Sequence, residues 1–295
     1  MEKELIQMKV IAYLNKEKQP VELNYDSFTF SGGEEHVRFL NKPDQAVTAI
    51  QITVRLTSSS ALLKLIVAVD ALKRLFGSKV SMELVCPYFP YARQDRVCVE
   101  GEALGAAVMA KLINALAFDK VTIWDAHSEV TPALINNVVN TAQEVIIERC
   151  LPLVTLLKSK AVTLISPDAG ATKKTQNVAK YFGGGIEVIQ AEKVRDLSTG
   201  AITHTDFHGD VTGKDVLIVD DICDGGRTFL ELAKVLKVKG SKSISLFVTH
   251  GIFSKGLAVF DGIIDNIYTT DSFIDFSKND KLSTNTTLTI VNIEG

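Results

Sequence analysis

The stretch VLIVDDICDGGRTF, Val216 to Phe229, joins two halves of opposite character. An apolar, β-branched run ends in the paired acids Asp220 and Asp221, and then come Asp224, Gly225, Gly226, Arg227 and Thr228. Continuous apolar character suits a strand buried on both faces, as in a parallel sheet. The two glycines let the backbone fold into a concavity whose N–H groups face an anion. A helix opening near Arg227 or Thr228 would add its positive end, which makes the loop a phosphate cradle. Ionised Asp220 and Asp221 accept hydrogen bonds and cannot donate them, so they suit sugar hydroxyls or a magnesium shell. A phosphorylated ribose would use both halves at once. The simpler alternative is an Asp-rich turn with no ligand, since Asp and Gly are common turn formers. Two acids placed directly after the strand weigh against it.

The same pattern recurs along the chain. KVSMELVCPYFP, KVTIWDAHSE, AVTLISPDAG and SISLFVTHG are further apolar strands, most of them running into polar loops. Between them lie helical stretches: Ser58–Phe76 with serines to cap it, the Ala- and Leu-rich Glu102–Ala117, and RTFLELAKVLKVKG closed by Gly240. Strand–loop–helix alternation in both halves predicts an α/β protein of two domains, residues 1–143 and 144–295. Ligands of open α/β sheets bind at the carboxyl ends of the strands, which is where these polar loops fall.

The length of 295 residues fits two ordinary domains. With 46% hydrophobic and 23% charged residues and a net charge of −3, the composition is that of a globular protein. It carries no basic footprint for nucleic acid or an anionic membrane. No apolar run approaches the ~18–20 residues of a membrane span. The acidic start and four scattered cysteines without CxxC spacing predict a reduced, cytoplasmic protein.

Each loop has its own chemistry. In CPYFPYARQDR, Arg93 and Arg96 are permanent cations suited to phosphates. Gln94 can read a nucleotide edge or a phosphate, and Asp95 can orient the arginines; without its aromatic setting the segment would read as a surface ion-pair cluster. His127 follows Asp125 by two, so an extended loop would point both the same way. Lys193 and Arg195 alternate in EKVR and would offer two cations to charge developing on a transferred group. Taken alone, that run is an ordinary solvated surface.

Taken together, these segments resemble one family. VDDICDGGRT resembles the phosphoribosyl pyrophosphate loop of the type I phosphoribosyltransferase fold. CPYFPYARQDR, WDAHS, SPDAG, EKVR and FTFSGGEEHVRF resemble, in order, the ATP segment, D-x-H metal loop, S-P-D-x-G loop, Lys-x-Arg pair and adenine-contacting segment of ribose-phosphate pyrophosphokinases, from about Phe28 to His250. The resemblance implies two type I phosphoribosyltransferase-like domains, each a mostly parallel sheet flanked by helices. The first would bind ATP through Phe30, Gly32, Gly33, Glu34, Arg93, Gln94, Asp95, Arg96 and His127. His127 and Asp168 would serve Mg2+, and Lys193 and Arg195 catalysis. Arg195, Asp220, Asp221, Asp224, Gly225, Gly226, Arg227 and Thr228 would hold the ribose phosphate. The implied reaction transfers pyrophosphate from ATP to the C1 hydroxyl of ribose 5-phosphate. The implied assembly is a homo-oligomer, a dimer or a hexamer of dimers, with adenine contacted partly across an interface.

The chain departs from the family pattern at defined points. The usual D-T-A-G-T or D-T-G-G-T loop is here Asp224-Gly225-Gly226-Arg227-Thr228, which loses a hydroxyl and gains a guanidinium. Gly32 stands where the family usually has Asp. These changes admit a second acceptor, a ribose with an esterified 5-phosphate such as ADP-ribose, whose product could feed NAD salvage. A third reading is a non-catalytic regulatory homologue. Retention of Lys193, Arg195, His127 and Asp168 argues against it.

Overall fold

The computed structural model describes residues 8–15, 20–195, 202–276 and 283–293. The chain divides into two compact units, Met1–Thr141 and Ala142–Gly295.

The first unit begins with strand β1 (Met8–Leu14), the short β2 (Val21–Glu22), the hairpin strands β3 (Tyr25–Thr29) and β4 (Glu35–Phe39), and β5 (Val47–Val54). Helix α1 (Ser59–Phe76), β6 (Ser81–Val85), α2 (Gly105–Ala115), β7 (Lys120–Trp124), α3 (Val130–Leu134) and β8 (Val138–Thr141) follow. Six strands form one sheet in the order β2-β1-β5-β6-β7-β8, and β3–β4 stands apart as a two-stranded sheet. From β5 to β8 every neighbour is parallel, and β1 runs antiparallel to β5.

Helix α1 shows why its sequence folds as it does. The Ser58 hydroxyl accepts the Ala61 N–H, and Gly77, at φ 91°, ends the helix in a conformation that favours glycine. Leu62, Leu65, Val69 and Leu72 bury one stripe at helical spacing. Leu65 and Leu72 are wholly buried, so either one cut to alanine would cost about 2–5 kcal/mol. Helix α2 starts at Gly105, later than the sequence spacing predicts. The Glu102 carboxylate instead accepts the N–H groups of Cys98 and Val99 and closes a turn before the helix.

The second unit contains α4 (Gln143–Ile147), α5 (Leu151–Ser159), β9 (Val162–Ser166), α6 (Thr172–Tyr181), β10 (Val188–Arg195) and β11 (Ile202–Phe207). It continues through β12 (Asp215–Cys223), α7 (Arg227–Val238), β13 (Ser243–Gly251), β14 (Asn266–Thr270) and β15 (Thr287–Val291). Its sheet has the order β11-β10-β9-β12-β13-β14-β15, parallel except where β11 meets β10. The chain leaves β9 toward one edge and leaves β12 toward the other, so their carboxyl ends flank a topological switch point. Strand β12 has its whole run Val216–Val219 buried, as the continuous apolar sequence requires. Among the described residues no helix is long and apolar enough to cross a membrane.

Candidate active site

The switch point brings three predicted acids into one neighbourhood. Ile165 of β9 pairs with Ile218 of β12, which sets Asp168 just beyond the end of β9 and the Asp220–Asp221 pair in the last residues of the adjacent β12, which runs on to Cys223 rather than ending at Val219 as the sequence suggests. The loop carrying Asp168 is locked from within. The Ser166 and Thr172 hydroxyls both donate to the Asp168 carbonyl, at 2.6 and 3.1 Å, and the Asp168 carboxylate accepts the Ala171 N–H at 3.2 Å. Burial holds the Asp220 carboxyl well above the usual carboxylate range, and the charges of Asp221 and Asp168 push it the same way. Asp221 is 5% exposed and pairs with Lys174, whose ammonium lies 3.1 Å from its Oδ2.

The cradle follows directly. Gly226 has φ 78°, and a Cβ there would collide with the ring of Phe260, so this position needs glycine on both counts. Helix α7 opens at Arg227 with no side chain capping its first turn, which leaves N–H groups for an anion. Asp224 and Thr228 stand at either end of the loop. Arg227 does not turn into it: its Nε donates to Glu231 at 2.7 Å along the helix surface, and its side chain is 88% exposed.

In the first unit the loop after β6 carries the predicted nucleotide residues. Phe89 and Ala92 are buried anchors, while Arg93, Gln94 and Arg96 are exposed and Asp95 is partly so. Tyr91 takes a left-handed φ of 61°, and the Gln94 N–H and carbonyl tie the loop to Tyr91 and to Ala106 at the start of α2. The Gln94 side chain occupies the space a Cβ would need at Gly105. Cys86 at the loop's root is fully buried, which pushes its thiol up to about 12 and leaves it unreactive. After β7, Asp125 is buried with φ 39°, and His127 is exposed. Trp124 is core.

The hairpin β3–β4 presents the remaining predicted residues. Its turn, Phe30 to Glu34, is closed by two backbone hydrogen bonds and contains Gly32 and Gly33, the latter at φ 93°. Phe28, Phe30 and His36 form an exposed aromatic group with centroids 4.7–5.8 Å apart. Glu35 pins the hairpin to α1 by accepting from Ser60 at 2.6 Å and lying 3.5 Å from the buried ammonium of Lys64.

Lys193 and Arg195 lie on β10, and the ladder to β11 slips between Val194 and Arg195. Their side chains fall outside the described residues. His127 belongs to the first unit and Asp168 to the second. Among the described residues no group of three or more His, Cys, Asp or Glu side chains is arranged to hold a metal. Magnesium does not demand such a cage: it keeps several waters and takes one or two carboxylates plus substrate phosphates. Asp168 fits that pattern, and the His127 nitrogen fits it less well.

Two residues of this site carry no motif. Lys174 lies in ATKKTQNVAK and reads as solvated surface. Gln143, 2% exposed, donates its amide to the Asp220 carbonyl at 2.7 Å, so the acid pair is held through its backbone as well as its side chains.

Residues 2–116 match the model of the N-terminal domain of ribose phosphate pyrophosphokinase, and residues 145–287 match the phosphoribosyl transferase domain. The ribose-phosphate pyrophosphokinase 2 of Archaeoglobus fulgidus is 32% identical over 246 residues, 82% of each chain. The ribose-phosphate pyrophosphokinase of Pyrococcus furiosus is 30% identical over 241 residues, again 82% of each. That of Ureaplasma parvum is 31% identical over 77% of this chain and 68% of its own. The fold is similar to the crystal structure of phosphoribosylpyrophosphate synthetase from Mycobacterium smegmatis, with a TM-score of 0.75 at 22% identity over 92% of this chain and 87% of that one. The two sheets are thus type I phosphoribosyltransferase-like domains, and the chain is a pyrophosphotransferase that belongs to the ribose-phosphate pyrophosphokinase family.

Proposed function

We propose that the chain transfers the pyrophosphoryl group of ATP to the C1 hydroxyl of ribose 5-phosphate, giving phosphoribosyl pyrophosphate and AMP. The observation that carries this reading is the acid pair beside an uncapped helix start at the switch point. Asp220 and Asp221 accept from the ribose hydroxyls, and the loop Asp224–Thr228 receives the 5-phosphate on its N–H groups. The C1 oxygen attacks the β-phosphorus in line with the leaving AMP oxygen. The protein's task is alignment and charge neutralisation. Arg93 and Arg96 hold the triphosphate, with Gln94 and Asp95 beside them. Phe30 and the turn Gly32-Gly33-Glu34 take the adenine. Lys193 and Arg195 meet charge that develops on the transferred group. When bound, magnesium would supply further neutralisation; Asp168 would contact it from the second unit's loop and His127 is the candidate contact of the first unit. A cytoplasmic homo-oligomer without nucleic-acid or membrane partners goes with this reading.

Arg227 favours a second reading. Its guanidinium lies outside the cradle on the helix surface, where the outer phosphate of an esterified acceptor such as ADP-ribose would pass. The test is ATP-to-AMP conversion with each acceptor offered separately. Turnover with ribose 5-phosphate at the higher kcat/KM supports the first reading, and the reverse order supports the second. No AMP with either acceptor overturns both.

A further inference from the structure

The phosphate cradle has a neighbour that no motif marks. The turn after β13 is tied onto the cradle by three backbone hydrogen bonds. Ile252 and Phe253 donate to the Cys223 carbonyl at 2.8 and 3.1 Å, and Ser254 donates to the Asp224 carbonyl at 3.2 Å. Phe253 takes a left-handed φ of 45°, and Gly256, at φ 75°, donates to its carbonyl at 2.8 Å. This tight turn places Lys255 against the first glycine of the cradle: a Cβ on Gly225 would lie 3.4 Å from Lys255 Cγ. Two further carbons and the ammonium extend beyond that point. Lys255 is exposed and forms no ion pair among the described residues. Arg227, the other cation at the loop, is taken by Glu231.

We propose that Lys255 is the specificity-determining cation of the cradle, supplying to the acceptor's phosphate the donor that the loop lost when glycine took the place of threonine at 225. The two departures are then one. A threonine Cβ at 225 would already lie in van der Waals contact with the lysine stem, so its two γ atoms would compete for the space the stem uses, and the ammonium replaces the missing hydroxyl with a charge-assisted hydrogen bond. The inference rests on the reading of this loop as the ribose-phosphate site, but it can be read without turnover.

The experiment measures ribose 5-phosphate and inorganic phosphate binding to the full chain by calorimetry, and acceptor and ATP KM where turnover is seen. Lys255→Met is expected to weaken binding of both ligands and raise acceptor KM by about tenfold or more. ATP KM should stay within about twofold, and Lys255→Arg should recover most of the loss. Gly225→Thr should weaken phosphate binding in the native background and do so much less in the Lys255→Ala background, because the crowding is then gone. Unchanged phosphate affinity in Lys255→Met overturns the proposal, as does an equal Gly225→Thr effect in both backgrounds. Phosphate binding that depends on Lys255 in a protein producing no AMP would leave this inference standing while the proposed reaction falls. Absence of phosphate binding in the native protein would end the proposal too.

Discussion

In the first unit Glu35 is buried against Lys64 and receives the hydroxyls of Ser60 and Thr29. In the second, Asp220 is half-buried beside Asp221 and Asp168, with Lys174 as a nearby cation. Burial raises both carboxyls. For Glu35 the hydroxyls and the ammonium outweigh it and bring the group below its usual range, whereas for Asp220 the neighbouring acids add to it. A buried acid whose charge is answered by its own unit joins a hairpin to a helix. One whose neighbours oppose its charge more than they offset it is held ready for hydroxyls or a cation from outside.

The sheets differ in the same sense. Strands β5 to β8 lie side by side in chain order, and the order reverses between β9 and β12. Only the reversal opens a crevice between diverging loops. The first unit instead displays exposed arginines and aromatic rings on loops braced by a few buried residues. On the proposed reading, the nucleotide falls to the first unit and the acceptor to the second, and this division can be broken at four places.

The largest expected effect is on the strand that enters the second site. Lys193→Ala and Arg195→Ala should each lower kcat by roughly 10²-fold or more with ATP KM little changed. Steady-state kinetics at saturating ATP checks this, and a raised KM with native kcat would move both residues to simple binding. Next comes Gly226→Ala, which puts a side chain at a positive φ and into the Phe260 ring. It should cost about 2 kcal/mol or more of stability, read from urea unfolding. An unaltered midpoint would show that the cradle can relax. Arg93→Ala or Arg96→Ala, at exposed positions, should leave the unfolding midpoint in place while raising ATP KM about tenfold. A change in acceptor KM alone would reverse the division of labour.

The smallest effect is the most direct comparison of the two acids. The folded Asp220 binds its proton more tightly than the unfolded chain does. Its contribution is therefore fully favourable below the unfolded pKa of about 4 and is lost as pH rises through the raised folded value. Asp220→Asn should make the protein more stable near neutrality, with the gain vanishing below about pH 4. Glu35 has the opposite sign: its contribution is present above about pH 4.5 and is lost as pH falls through its depressed folded value. Glu35→Gln should therefore destabilise at neutral pH and matter less in acid. Equal signs for the two variants in pH-dependent unfolding would erase the distinction.

The sequence made the second sheet legible because each buried strand is a continuous apolar run that ends in its own functional loop. Local order carries that information. Strands β1 and β4 are harder to see, because the alternating burial of β1 and the short, half-buried β4 lack such a run. Lys174 and Gln143 escaped for a different reason. Their partners lie 47 and 77 residues away, so only the completed sheet gives them a role. Arg227 shows the converse. Its position in the loop is plain from sequence, but a glutamate one turn along the helix decides where its guanidinium goes.

The Gln143 bond has a practical consequence for anyone who cuts this protein in two. A C-terminal fragment starting at Glu144 would keep every strand of the second sheet and every recognisable loop. It would nevertheless release the Asp220 carbonyl from its amide donor. Such a fragment is expected to yield a well-dispersed spectrum and a loosened acid pair. Moving the cut back to Ala142, the first residue of the unit, restores the donor at the cost of two residues.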